Sequence, residues 1–244
     1  MFTIGPSLSH RTAFPCGCIA CGRVPRSGVS RRHVLAALGG VAPAMLVARR
    51  GMGQTTLSPG DALGRLMAGN RRYVAKQMTS FTEDLDILRQ NNVDKQEPFA
   101  AVLSCADSRV PVEVVFDQAI GHVFVTRVAG TICTPEVIAG LEFGAAVLGT
   151  AAILVLGHEG CGAVKAAIAG EAVPGQISAL YAPLRQAVER AGPDLVAVIK
   201  ANAQIQANLL GTTSPVLAGL IKQGRLKIVP GYYNLGDGSV ALLD

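Results

Sequence analysis

Short apolar runs alternate with amphipathic stretches along most of this chain. FAAVLS (99–104), HVFVTRV (122–128) and AAILVLG (151–157) read as strands, the last being the most strongly apolar. Such runs, rich in β-branched side chains and bounded by turn residues, mark buried strands. LKIVPGYYNLGDGSVAL (226–242) reads as two strands around an Asp-Gly turn. Helical spacing occupies the intervals. DALGRLMAGNRRYVAKQ (61–77) puts Leu63, Leu66, Met67 and Tyr73 on one stripe, and DLDILRQNN (84–92) predicts a second short helix. VEVVFDQ (112–118) fits a helix slightly better than a strand. PEVIAGLEFGAAVLG (135–149) opens with Pro at a first helical position and closes on Gly. A long helical region covers about 177–210, interrupted near Gly192-Pro193, and a further helix spans about 214–223. Strands alternating with helices predict an α/β fold whose central β-sheet is mostly parallel and flanked by helices on both faces. Chemistry in such sheets gathers at the carboxyl ends of strands. There is no internal repeat.

The first fifty residues have a different character. SRRHVLAALGGVAPAMLVARR (30–50) carries a charged start and an apolar middle, Val34 to Ala48, of signal-peptide length and too short to span a bilayer comfortably. Arg31-Arg32 ahead of it resembles a twin-arginine export signal, although Val34 and Ala36 depart from the usual pattern. Ala42-Pro43-Ala44 offers a small-x-small cleavage site. The expectation is a leader over 1–50, a linker over 51–60 (GMGQTTLSPG), and a mature chain placed in the periplasm or outside the cell, or in the cytoplasm if the leader is not functional. Cys16, Cys18 and Cys21 lie ahead of the apolar run. Lacking a second Cys/His pair to complete a zinc knuckle, they would leave with the leader.

Composition refines this picture in two ways. With 50% hydrophobic and 16% charged residues over 244 positions, the chain can bury a substantial single core, and disorder over most of its length is excluded. The net charge of +5 does not indicate a nucleic-acid partner. Seven arginines and no acid fall within residues 1–50, which leaves 15 basic against 17 acidic residues in 51–244, a net charge of −2. The mature part keeps three cysteines, an odd number that argues against a disulfide framework. Cys133 reads as a small buried residue.

Two clusters follow predicted strands. CADSRV (105–110) follows FAAVLS, and GHEGCGAV (157–164) closes the strand over 151–157. Taken singly, the first reads equally as a strand end with an Asp–Arg pair, and the second as a core histidine beside a buried cysteine. Together, Cys105, His158 and Cys161 offer two thiolates and an imidazole, which suit Zn²⁺. Three protein ligands leave a fourth tetrahedral position for water, whose pKa the metal lowers towards neutral. Gly157, Gly160 and Gly162 let the backbone turn tightly around the metal. Without a metal, a thiolate near Arg109 is a candidate nucleophile.

CADSRV followed by GHEGCGAV resembles the β-class carbonic anhydrases. The resemblance extends over 61–242, through AGNRRYVA (68–75), FDQ (116–118), RVAG (127–130), LEFGAAVLG (141–149) and IVPGYYNLGDG (228–238). It implies a catalytic domain over 61–244, one Zn²⁺ per chain on Cys105, His158 and Cys161, and an Asp107–Arg109 dyad beside it. It also implies substrate contacts from Gln96, Phe124 and Gly162, and a homodimer or higher homo-oligomer in which Gln96 and Phe124 reach the site across the subunit interface. The implied reaction is reversible hydration of carbon dioxide to bicarbonate by hydroxide held on zinc, with Asp107 orienting that hydroxide and Arg109 keeping Asp107 ionised. Thr131 stands where the family often has Asn, and Ala106 where Ser is commoner. Val102 replaces the Trp of the allosteric subgroup, which favours the open form over the closed form in which Asp107 ligates zinc. His122, the one histidine of 51–244 besides His158, reads as a surface or loop residue rather than a proton shuttle. Two other readings stay open: hydrolysis of carbonyl sulfide or carbon disulfide at the same site, and a non-catalytic zinc-binding module. Intact Asp107 and Arg109 speak against the second.

Overall fold

The computed structural model describes residues 55–80 and 93–244. The leader expected over 1–50, with its cysteines at 16–21 and its Arg31-Arg32 pair, and the helix expected over 84–92 lie outside them. Helix α1 runs Pro59–Val74, two residues earlier than the sequence predicts. The cause is local: the Ser58 side chain accepts from the Asp61 N–H, and Pro59 sits where no N–H is needed. Strand β1 (Ala100–Ser104) follows, then a single turn of helix, α2 (Val112–Val115), and β2 (Val123–Arg127).

Helix α3 (Pro135–Glu142) continues as a π-helix over Phe143–Val147 where the sequence predicts one uniform helix. Next come β3 (Ala152–His158) and α4 (Gly162–Ala169). Helix α4 is absent from the sequence reading. Its Gly-Ala-rich segment lacks a clear apolar stripe, and only Val164 is buried. The long helical region resolves into a 3₁₀ turn (Ile177–Leu180), α5 (Tyr181–Ala191) and α6 (Leu195–Thr213), broken where Gly192 turns left-handed (φ 72°). Helix α7 (Pro215–Lys222) and strands β4 (Lys227–Tyr233) and β5 (Val240–Leu242) complete the order.

The five strands form one sheet in the order β2-β1-β3-β4-β5, parallel except for the β4–β5 hairpin. Alternation along the strands builds two cores. Val102, Leu154 and Leu156 pack with Leu63 and Leu66 of α1 and Val112 and Val115 of α2. Leu103, Ile153 and Val155 face Leu141 of α3, Ala203 and Leu210 of α6 and Leu217 of α7. Strand β3 is buried throughout. Each of its large aliphatic side chains is worth about 2 kcal/mol on burial, so the pairing register is set most strongly there. The chain passes from β1 to β2 on one side and then returns to place β3 on the other. That reversal opens a crevice at the carboxyl ends of β1 and β3, where ligands bind in open α/β sheets.

Candidate metal centre

Cys105 is the first residue beyond β1, and His158 is the last residue of β3. Cys161 occupies the N-cap position of α4. Parallel pairing of β1 with β3 brings these ends together. The Sγ atoms of Cys105 and Cys161 lie 4.0 Å apart, and both join His158 in a buried group whose ligating atoms all fall within 4.8 Å of one another. His158 Nδ1 lies 2.9 Å from the Glu159 carbonyl oxygen, which leaves Nε2 without a partner although it is buried. A buried, orphaned imidazole nitrogen aimed at two sulfurs is what a metal would satisfy, so the residues present fit one.

The electrostatics agree. The Cys105 thiol is held far below its ordinary range, first by a hydrogen bond from Cys161, then against burial by His158 and the N–H groups of Gly130 and Asp107. Cys161, as the donor to Cys105 and itself buried, is pushed up. Within the pair Cys105 is therefore the sulfur that ionises more readily, and thiolate is the form that binds metal.

Asp107 lies beside this group, with Oδ2 3.9 Å from His158 Nε2. Both of its oxygens are engaged by Arg109, Nε to Oδ1 at 2.9 Å and an Nη to Oδ2 at 2.7 Å, and the Arg109 backbone N–H adds a third bond at 3.0 Å. The Arg109 side chain pulls the carboxyl well below the usual range. Arg109 also reaches the Gly160 carbonyl at 3.3 Å, tying the first motif to the second. Arg127, which the sequence reading did not single out, donates to the backbone carbonyls of Cys105 (2.8 Å) and Asp107. Its signal was a cation ending an otherwise apolar strand.

The carbonic anhydrase family model matches residues 100–240. Carbonic anhydrase 2 of Mycobacterium tuberculosis is 33% identical over 198 residues, 77% of this chain and 94% of that protein. This chain belongs to the carbonic anhydrase family. Solved structures place it in the β-class. The Coccomyxa β-carbonic anhydrase, solved with acetazolamide, is 25% identical with a TM-score of 0.59 over 74% of this chain and 86% of that one. One of two tetrameric β-carbonic anhydrases from Sordaria macrospora shares the fold at 21% identity, with a TM-score of 0.59 over 65% of this chain and 90% of that one.

The remaining residues singled out in this carbonic anhydrase are placed unevenly. Gly162 is exposed next to Cys161 at the start of α4, with open space where a Cβ would stand. Gln96 and Phe124 do not lie beside the cysteines of their own chain. Gln96 precedes β1 and lines an open depression with Ile120, Val123 and Leu148, at the amino ends of β1 and β2. The length of β1, on the order of 15 Å, separates it from Cys105. Phe124 sits early in β2 and packs against Phe143 of the π-helix, ring centroids 6.4 Å apart. His122, just before β2, lies 3.4 Å from Arg65 through Nδ1, likewise away from the metal group. Cys133 is half-buried, its thiol pushed up to about 12 by burial, and it takes no part in the metal centre.

Proposed function

We propose that this chain catalyses the reversible hydration of carbon dioxide to bicarbonate and a proton, with one Zn²⁺ per chain on Cys105, His158 and Cys161. One observation carries this reading. A buried Cys–His–Cys group with an unpartnered imidazole nitrogen meets an Asp–Arg pair at the crevice of a carbonic anhydrase fold. Two thiolates and an imidazole suit zinc better than the hard, oxygen-seeking cations. Zinc, when bound, supplies a Lewis acid that ionises water near neutral pH.

The chain's own residues do the rest. Asp107 is committed to Arg109 through both oxygens, which supports the open form in which it is not a ligand. Held ionised, it accepts a hydrogen bond from the reacting water and turns a lone pair towards carbon dioxide. Arg109 fixes Asp107 and, through Gly160, its distance from the Cys161 loop. Two anionic sulfurs donate more charge to a metal than imidazoles would, so Asp107 orients more than it acidifies.

A homodimer or larger homo-oligomer belongs to this reading, with Gln96 and Phe124 entering the site of the partner. It is supported by their position at an exposed, apolar sheet edge far from their own cysteines. Export by a twin-arginine-type leader also belongs to it and rests on the pattern of residues 31–48.

Stopped-flow CO₂ hydration, with zinc measured on the same sample, tests the proposal. Turnover with about one zinc per chain is expected. Asp107→Ala keeps the zinc and loses about 10–100-fold in turnover, as removal of outer partners of a metal site does. Cys161→Ser loses both. Full zinc without hydration from pH 6 to 9 would overturn the reading in favour of a sulfur-analogue substrate or a non-catalytic zinc module.

A further inference from the structure

The loop after β2 crosses directly over Cys105. Gly130 and Thr131 are both left-handed, at φ 83° and 52°. For glycine this costs nothing, but a buried β-branched residue there is strained. Something must hold the turn. Asn202 of α6 does so, donating through Nδ2 to the carbonyls of Gly130 (2.9 Å) and Thr131 (3.3 Å). Gln206, one turn on, donates to Asn202 Oδ1 at 3.1 Å and accepts from the Cys133 N–H at 2.9 Å. Both amides are buried, 2% and 3% exposed. The Thr131 hydroxyl adds a bond to the Leu156 carbonyl at 3.2 Å. The result is a Gly130 N–H aimed at Cys105 Sγ, 3.4 Å away. The same helix presses on the other ligand strand, since a Cβ on Gly157, next to His158, would stand 2.8 Å from Ile199 Cγ2.

We propose that Asn202, braced by Gln206, is a positioning residue for the metal: it holds the Gly130–Thr131 turn left-handed and so keeps the Gly130 N–H on the Cys105 sulfur. This rests on the reading that Cys105 ligates zinc. A hydrogen bond to a ligating sulfur withdraws charge that the thiolate would otherwise give the metal, leaving the metal the stronger Lewis acid.

The test uses the full chain loaded with Co²⁺ in place of zinc, alongside the zinc enzyme. Asn202→Ala is expected to move the thiolate-to-cobalt charge-transfer band to lower energy. In the zinc form it lowers CO₂ hydration at neutral pH about tenfold, with recovery at higher pH as the activity profile moves up. Adding Thr131→Gly, which takes the left-handed conformation unaided, restores band and profile. Gln206→Met, which loosens Asn202 without removing it, shifts both less and in the same direction, and carries the test if Asn202→Ala does not fold. An unmoved band in whichever variant folds overturns the proposal, even if its melting temperature drops. Wild type that shows the thiolate band but hydrates no CO₂ sinks the proposed reaction and leaves the clamp standing.

Discussion

Asp107 and Asp117 are both carboxylates gripped by an arginine, yet they act differently. Asp107 faces the metal group. Asp117 is buried behind α2 in a left-handed conformation, paired with Arg72 at 2.5 Å and accepting the N–H groups of Thr79 and Ser80. Burial alone would raise its pKa, but the Ser80 N–H, Arg72 and the Thr79 N–H outweigh it and hold the carboxyl well below the usual range. Because the folded value lies below the unfolded one of about 3.9, its stabilisation is complete above that pH and is lost as pH falls through the folded value. Asp117→Asn is therefore expected to cost about 2 kcal/mol at pH 7, with wild-type and variant stabilities converging below about pH 4. Urea titrations of metal-free protein from pH 3 to 7 measure this, and a gap that stays constant with pH would refute it. Cys105, Asp107, Arg109, His158 and Cys161 were legible in the sequence because reactive residues interrupt apolar runs at ligand spacing. Arg127, Asn202 and Gln206 were not, because a single polar residue on a helix or strand end does not reveal what it reaches across the fold.

Among the elements, the strands and the principal helices were readable from period and punctuation. Helix α4 and the π-helical end of α3 were not, because an Ala-Gly stretch has no strong stripe and a change of helical pitch leaves no mark on composition. The AGNRRYVA motif owes its pattern to docking. Gly69 lies against the Phe116 backbone carbonyl, where a Cβ would overlap it, and Asn70 bonds to Val115 O (3.1 Å), Gly238 O (2.9 Å) and the Val240 N–H (2.9 Å). One helix turn thereby joins α2 to the β4–β5 hairpin. Gly69→Ala forces α1 off α2 and is expected to destabilise by about 3 kcal/mol or more, although alanine is the better helix former. Thermal unfolding decides this, and a stabilised variant would contradict the docking account.

For the whole molecule, the informative surface is the free side of β2. Among the described residues no strand pairs with it, and Val93 and Phe143, near that edge, stand 77% and 46% exposed. An apolar edge of this kind is a liability unless a second copy covers it. Phe143→Asp is expected to shift the assembly towards monomer and to reduce turnover while zinc content holds. Light scattering and stopped-flow assay read both, and a wild-type monomer at full activity would refute the argument. None of the described helices is long and apolar enough to cross a membrane. The metal group itself straddles the middle of the sheet, with sulfurs 4.0 Å apart in space supplied from positions 56 residues apart in the chain. Pairing of β1 with β3 is a distant contact, reached only after a long loop has closed. His158 and Cys161, three residues apart, could hold an ion early, but Cys105 joins them only once that search has ended. A cation gripping all three would be a latch closed at the end of folding, one that lengthens the life of the native state.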